Sequence, residues 1–117
     1  MYIQHNYLRM HRKRARLAQS DIAHVAALSD HSNVSRWENG TREPNIESLI
    51  VYHLLFDVPI ESMFERQKQE LKLSVYRRVL GRLETLRKMP QDRKLGFRIR
   101  FLETALARLA NPEPQAL

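Results

Sequence analysis

The stretch QSDIAHVAALSDHSNVSRWENG, residues 19–40, decides how the rest of the chain is read. Its first part, about Gln19–Leu28, sets Ile22, Ala23, Val25 and Ala26 on one side of a helix. Its last part, about Ser32–Asn39, spaces Val34 and Trp37 at i, i+3 and stops at Gly40, a residue suited to a left-handed cap. Two short amphipathic helices joined by a few residues are what a helix-turn-helix requires. Its second helix fits the major groove of DNA while its first lies across the backbone and fixes the angle. The helices cross closely, so a small residue must stand at the crossing, and Ala23 fills that role. Val34 and Trp37 anchor the reader inward, with Trp37 as core rather than a stacking platform, leaving Ser32, Asn33, Ser35 and Arg36 on the outer side. Arg36 can reach O6 and N7 of guanine or a phosphate, and Asn33 the N6/N7 edge of adenine; the spacing leaves these open.

Working outward, residues from about Asn6 to Arg16 give a short helix with a strongly basic side, Arg9, Arg12, Lys13, Arg14 and Arg16, around Tyr7, Leu8 and Met10. Downstream, Pro44-Asn45 opens a fourth helix with Asn45 as N-cap and Ile46, Leu49, Ile50, His53, Leu54 and Phe56 following, so that Leu49 or Leu54 covers Trp37. Asp57-Val58-Pro59 ends it, and Ile60, Met63 and Phe64 make a fifth, short helix or turn. Residues 1–64 therefore read as an all-α, five-helix bundle. From residue 65 the texture changes to two long, charged, glycine-poor helices, about Glu65–Met89 and about Asp92–Ala110, separated at Pro90. Leu95, Ile99, Leu102, Leu106 and Leu109 repeat as a heptad seam, and Tyr76, Val79 or Leu80, Leu83 and Leu86 do nearly the same, which predicts an antiparallel helical hairpin over 65–117. Two helices bury little by themselves, so the seam is expected to pack on the first domain or on a second copy. The tail Asn111–Leu117, with Pro112 and Pro114, is expected to fray.

Composition narrows the chemistry. Cysteine is absent, which excludes disulfides, thiolate zinc sites and cysteine nucleophiles and removes any demand for an oxidising compartment. No apolar run is long enough to span a bilayer, and the opening Met-Tyr-Ile-Gln-His lacks the pattern of a secretory signal, so a cytoplasmic protein is expected. His5, His11, His24, His31 and His53 do not pair at i, i+4 with carboxylates as metal ligands do, and no metal or cofactor is expected. Carboxylates such as Glu61, Glu65 and Glu70 accompany no nucleophile or glycine-rich phosphate loop, leaving an enzyme reading without support. The net charge of +7 points to a polyanionic partner. It is uneven: residues 1–64 carry 7 basic and 7 acidic side chains, and residues 65–117 carry 13 and 6. The long helices' excess is read as solvated faces in preference to phosphate contacts.

Gln19-Ser20-Asp21-Ile22-Ala23, Val34-Ser35-Arg36-Trp37-Glu38-Asn39-Gly40, Arg42-Glu43-Pro44, and Phe56-Asp57-Val58-Pro59-Ile60 with Phe64 together resemble the XRE family, the helix-turn-helix domains of phage Cro and repressor type, over residues 6–64. The resemblance implies a repressor-like five-helix bundle that binds operator DNA as a transcriptional regulator. It implies base contacts from His31, Ser32, Asn33 and Arg36 and phosphate contacts from Arg12, Gln19, Asn39, Thr41 and Arg42. Glu38 either pairs with a basic side chain within the domain or is solvated, and the internal role is favoured. Two departures stand out: Ala27 occupies the family's turn glycine, and Gln19–Glu38 is one residue longer than the common spacing. A left-handed alanine costs about 1 kcal/mol, so the turn is expected to be rebuilt around Leu28–His31. One reader sees few base pairs, so a homodimer is expected, with readers about 34 Å apart on a palindromic operator. The rival from another class is a protein-interaction adaptor, such as an antitoxin, whose C-terminal helices hold a partner protein. RNA binding is poorer, because aromatic side chains make up only 8%.

Overall fold

The computed structural model describes residues 5–111; most of the tail expected to fray, and most of the opening segment, lie outside them. Among the described residues all regular structure is helical: α1 (Leu8–Arg14), α2 (Gln19–Val25), α3 (Ser32–Glu38), α4 (Ile46–Phe56), α5 (Ile60–Met63), α6 (Glu65–Arg87) and α7 (Arg93–Ala110). No helix is long and apolar enough to cross a membrane. The chain divides into two compact units, residues 1–68 and 69–117, and the division falls one turn into α6.

In the first unit three successive helices end in the same way. Beyond α1, Arg16 takes φ 59°, its N–H bonds the Lys13 carbonyl, and the Leu17 N–H reaches back to Arg12. Beyond α2, Ala27 takes φ 57°, its N–H bonds His24, and the Leu28 N–H reaches Ala23 at 2.8 Å. Beyond α3, Gly40 takes φ 79°, bonding Trp37, while the Thr41 N–H reaches Arg36. Each is a Schellman cap, which satisfies the last helical carbonyls through one left-handed residue. The expectation that the turn after α2 would be rebuilt to spare Ala27 is thus corrected: the alanine itself adopts the left-handed conformation. What offsets the strain is visible in the next residue. Leu17 and Leu28 both pack against the core, so each cap also turns a leucine inward. The helices accordingly stop at Arg14 and Val25, short of the expected Arg16 and Leu28.

The core of this unit consists of Leu8, Ile22, Ala23, Val34, Trp37, Tyr52 and Met63, with Phe56, Val58, Ile60 and Phe64 partly buried against it. Here α4 departs from expectation. Its N-cap is Asn45, whose side chain accepts from the Ser48 N–H, yet the face turned inward carries Ser48 and Tyr52. Ile46 and Leu54 remain 73% exposed and Ile50 is exposed beside them. Trp37 is met edge-on by Tyr52, ring centroids 6.3 Å apart, and of the two side chains expected to cover it Leu54 is exposed and Leu49 half-buried; Phe56 stacks beyond Tyr52 at 6.0 Å. An aromatic chain of that kind adds roughly 0.5–1.5 kcal/mol per pair beyond its burial. Periodicity alone could not choose between two apolar faces on one helix. Met63 closes the unit, its carbonyl accepting from the Tyr7 N–H at 2.9 Å.

In the second unit α7 returns alongside the greater part of α6. Asp92 caps α7 by accepting from the Leu95 N–H at 2.8 Å, Arg87 donates to Glu103 at 3.1 Å, and the Lys72 ammonium donates to the Asn111 carbonyl. Leu83, Leu86 and Leu95 are buried, while Ile99, Leu102, Leu106 and Leu109 are half-buried.

The capping geometry makes a direct prediction. Ala27→Gly removes the Cβ from a left-handed residue and is expected to stabilise the fold by about 0.5–1 kcal/mol in urea unfolding, whereas Ala27→Val, β-branched at the same φ, destabilises it. Equal midpoints for all three proteins would contradict the left-handed assignment.

Candidate nucleic-acid interface

The arrangement of α2 and α3 rests on a charge buried behind them. Glu38, the last residue of α3, turns inward and accepts from Arg12 of α1 at both oxygens, Nε to Oε2 at 2.6 Å and Nη2 to Oε1 at 2.9 Å. Gln19, the first residue of α2, donates to the same Oε1 at 3.2 Å, and Arg12 Nη1 donates to the Leu17 carbonyl just after α1. The side chains are 11% and 3% exposed for Arg12 and Glu38. One carboxylate therefore joins the three helices that must keep fixed angles. The bidentate bond holds the Arg12 guanidinium in its charged form against the opposing effect of burial. A second tie comes from Asn6, whose amide donates to the Trp37 carbonyl at 2.8 Å and whose Oδ1 accepts from the Leu8 N–H.

With Val34 and Trp37 buried and Glu38 clamped, the opposite side of α3 is left outward. His31, Ser32 and Arg36 are exposed, and Asn33 and Ser35 are half-buried. Asn33 is the hub of this side, its Oδ1 accepting from Arg42 Nη1 at 3.2 Å and from Arg36 Nη1 at 3.4 Å. Two guanidiniums thus converge on the amide, each with donors left over. Asn39, Thr41 and Arg42 lie just past the end of α3 and are exposed. Thr41 is held by its hydroxyl and N–H bonds to Asn39 Oδ1, at 2.7 and 3.1 Å.

Most of the expected site residues are therefore brought together on one surface, and two are placed elsewhere. Arg12 faces the interior, where its Nε and both terminal nitrogens already have acceptors, so it is built into the clamp and has little left to offer a phosphate. Gln19 is half-buried and shares that clamp. Sequence reading also passed over Asp30, which stands immediately ahead of α3. Its Oδ1 accepts from the Ser32 N–H at 2.7 Å, and bonds to Ser32 hold its carboxyl below the usual range. An ionised carboxylate at this end of α3 opposes a nearby phosphate. The signal was present as Asp30-His31-Ser32, the spacing of an Asx turn. On α1, Arg9, Lys13 and Arg14 are exposed, as is Arg16 just beyond it.

Behind the surface, the Tyr52 hydroxyl is buried without a hydrogen-bond partner. Burial, reinforced by the Glu38 carboxylate and opposed by the Arg12 guanidinium, raises its pKa well above the ordinary phenol value. No protein-family model, curated protein or solved structure matches the chain.

Two outcomes follow for the clamp. Glu38→Ala leaves Arg12 charged and buried, and a loss of about 3–5 kcal/mol is expected in denaturant unfolding; a loss below about 1 kcal/mol would show that the pair is not closed in solution. For Tyr52 the folded state holds the proton more tightly than the unfolded one. Its contribution is full below about pH 10 and declines as pH rises further. Tyr52→Phe removes the orphan hydroxyl, so it is expected to match or exceed the parent in stability and to lose less of it at alkaline pH.

Proposed function

We propose that this protein is a sequence-specific double-stranded DNA-binding regulator of transcription, a repressor of the XRE-like kind. In this reading α1–α5 form a repressor-like five-helix domain, α6 and α7 form a C-terminal hairpin, and α3 enters the major groove. The observation that carries the proposal is the division of α3 into two sides. Val34, Trp37 and Glu38 are fixed inward, while Ser32, Asn33 and Arg36 look outward, with Asn39, Thr41 and Arg42 beside them. In that placement His31, Ser32, Asn33 and Arg36 meet base edges. Asn39, Thr41 and Arg42, with the exposed cations of α1 and Arg16 just beyond it, meet phosphates. The Asn33–Arg36–Arg42 cluster supports the reading physically: two forked donors held at one amide are arranged before DNA arrives, which lowers the ordering cost of binding. The role is binding, with no catalysis, metal or cofactor.

The test is selection of bound duplexes from a random pool, repeated with Arg36→Ala over a salt series. The parent is expected to select a two-fold-related pair of half-sites. Arg36→Ala is expected to lose preference at one position per half-site, about 1–3 kcal/mol, while keeping weak, salt-sensitive binding. A parent that selects no sequence would contradict the proposal.

Homodimerisation belongs to the same reading, because two readers are needed to recognise a palindrome. Exposed apolar side chains support a protein contact: Ile46, Ile50 and Leu54 on α4 in the first unit, Leu71 and Leu73 on α6 in the second. The same residues favour a second reading, an adaptor that holds another protein, in the manner of an antitoxin. Light scattering at micromolar concentration is expected to give twice the mass of one chain; a monomer that binds duplex weakly and without sequence preference would favour the adaptor.

A further inference from the structure

The side of α7 turned away from its leucine seam has a composition that neither packing nor solvation explains. Phe97 and Phe101, one helical turn apart, are 54% and 68% exposed. Arg93 and Arg100 stand over the Phe97 ring, their guanidinium carbons 5.7 and 4.8 Å from its centroid. Lys94, Arg98 and Arg108 are exposed on the same helix. The one acidic residue of α7, Glu103, is bonded to Arg87 of α6. Among the described residues, none of α7's basic side chains has an ion-pair partner.

Such a face repels a second copy of itself and calls for an anion. The arrangement of the rings narrows the choice. An interfacial membrane helix needs a broad apolar stripe, about 100° or wider, to sink into lipid. Here only two rings interrupt a cationic surface, with Arg93, Arg100 and Thr104 around them. A duplex could use the cations but not the rings, because its bases are already stacked and paired. Unpaired bases have free π-faces, and the phosphates that link them match the flanking guanidiniums. The Phe101 ring, the more exposed of the two, stands as an open platform beside the Phe97–Arg100 stack.

We propose that the outer face of α7 binds single-stranded nucleic acid, with bases stacked on Phe101 and on the Phe97–arginine stack and phosphates held by Arg93, Lys94, Arg100 and Arg108. This surface is separate from the proposed reader on α3 and does not depend on it. It assigns a role to the charge excess of residues 65–117, which their sequence alone favours as solvated surface.

The test uses the full chain and fluorescent oligothymidylate of about 15 nucleotides, the upper range of a single-strand site, with a duplex of equal length and phosphatidylserine vesicles as parallel probes. Tight strand binding is expected. It weakens about tenfold or more in Phe97→Ala/Phe101→Ala, with the salt dependence retained, and is restored toward the parent by tyrosine at both positions. Arg93→Gln/Arg100→Gln is expected to flatten the salt dependence by roughly 0.7 per lost phosphate contact. Arg36→Ala leaves strand binding unchanged, which separates this face from the reader. Strand binding indifferent to the two phenylalanines would overturn the proposal. So would ring-dependent binding to vesicles without binding to the strand.

Discussion

The bond between Arg12 and Glu38 governs how α1, α2 and α3 stand to one another, because each helix contributes to it or is held next to it. A charge pair this far from water is not a cheap source of stability; a well-packed apolar pair of equal volume often does as well or better. What the pair supplies is direction. Its two parallel hydrogen bonds fix the rotation of α3 about its axis, and Val34 and Trp37 agree with that rotation by being buried on the same side. Rotating α3 by half a turn would expose the tryptophan and leave the carboxylate facing nothing. The outward set Ser32, Asn33 and Arg36 follows from the inward set, so the candidate surface is a consequence of the core.

Much of this was legible beforehand because the signals are local. Val34 and Trp37 at i, i+3, Ala23 as a small core residue, Asn45 as a cap and Gly40 as a stop each report on a few neighbouring residues. Val34, Trp37 and Ala23 are buried, Asn45 caps α4 and Gly40 follows the end of α3. Less legible was anything that required a choice between partners distant in sequence. Arg12 read as one more cation on a basic helix, yet it is 26 residues from the carboxylate it grips. On α4, the larger apolar side chains suggested the inner face, but Trp37 selected Tyr52 as an aromatic edge partner and left Ile46 and Leu54 outside. Ala27 differs in kind: the strain of a left-handed alanine is readable from the sequence, but the compensating burial of Leu28 cannot be weighed from the turn alone.

The two units divide the chemistry between them. Residues 1–64 have balanced charge and place their cations individually, two of them on Asn33 and one inside the clamp. Residues 65–117 hold the whole net excess and spread it along two long helices, interrupted on α7 by exposed rings. Individually placed donors suit recognition of particular base edges, while a continuous cationic surface suits the regular charge of a backbone. On this view net charge, the first property a sequence offers, is a poor guide to where specificity resides.

On the proposed function, the outer side of α3, fixed by the clamp behind it, meets duplex DNA. Amide chemical-shift mapping of the 15N-labelled full chain during titration with its selected duplex tests this most directly. The largest shifts are expected at Ser32–Arg36 and at Thr41 and Arg42, with Trp37 and Glu38 showing only small secondary changes. Shifts confined to α6 and α7, or to the exposed face of α4, with α3 unmoved at saturation would contradict it.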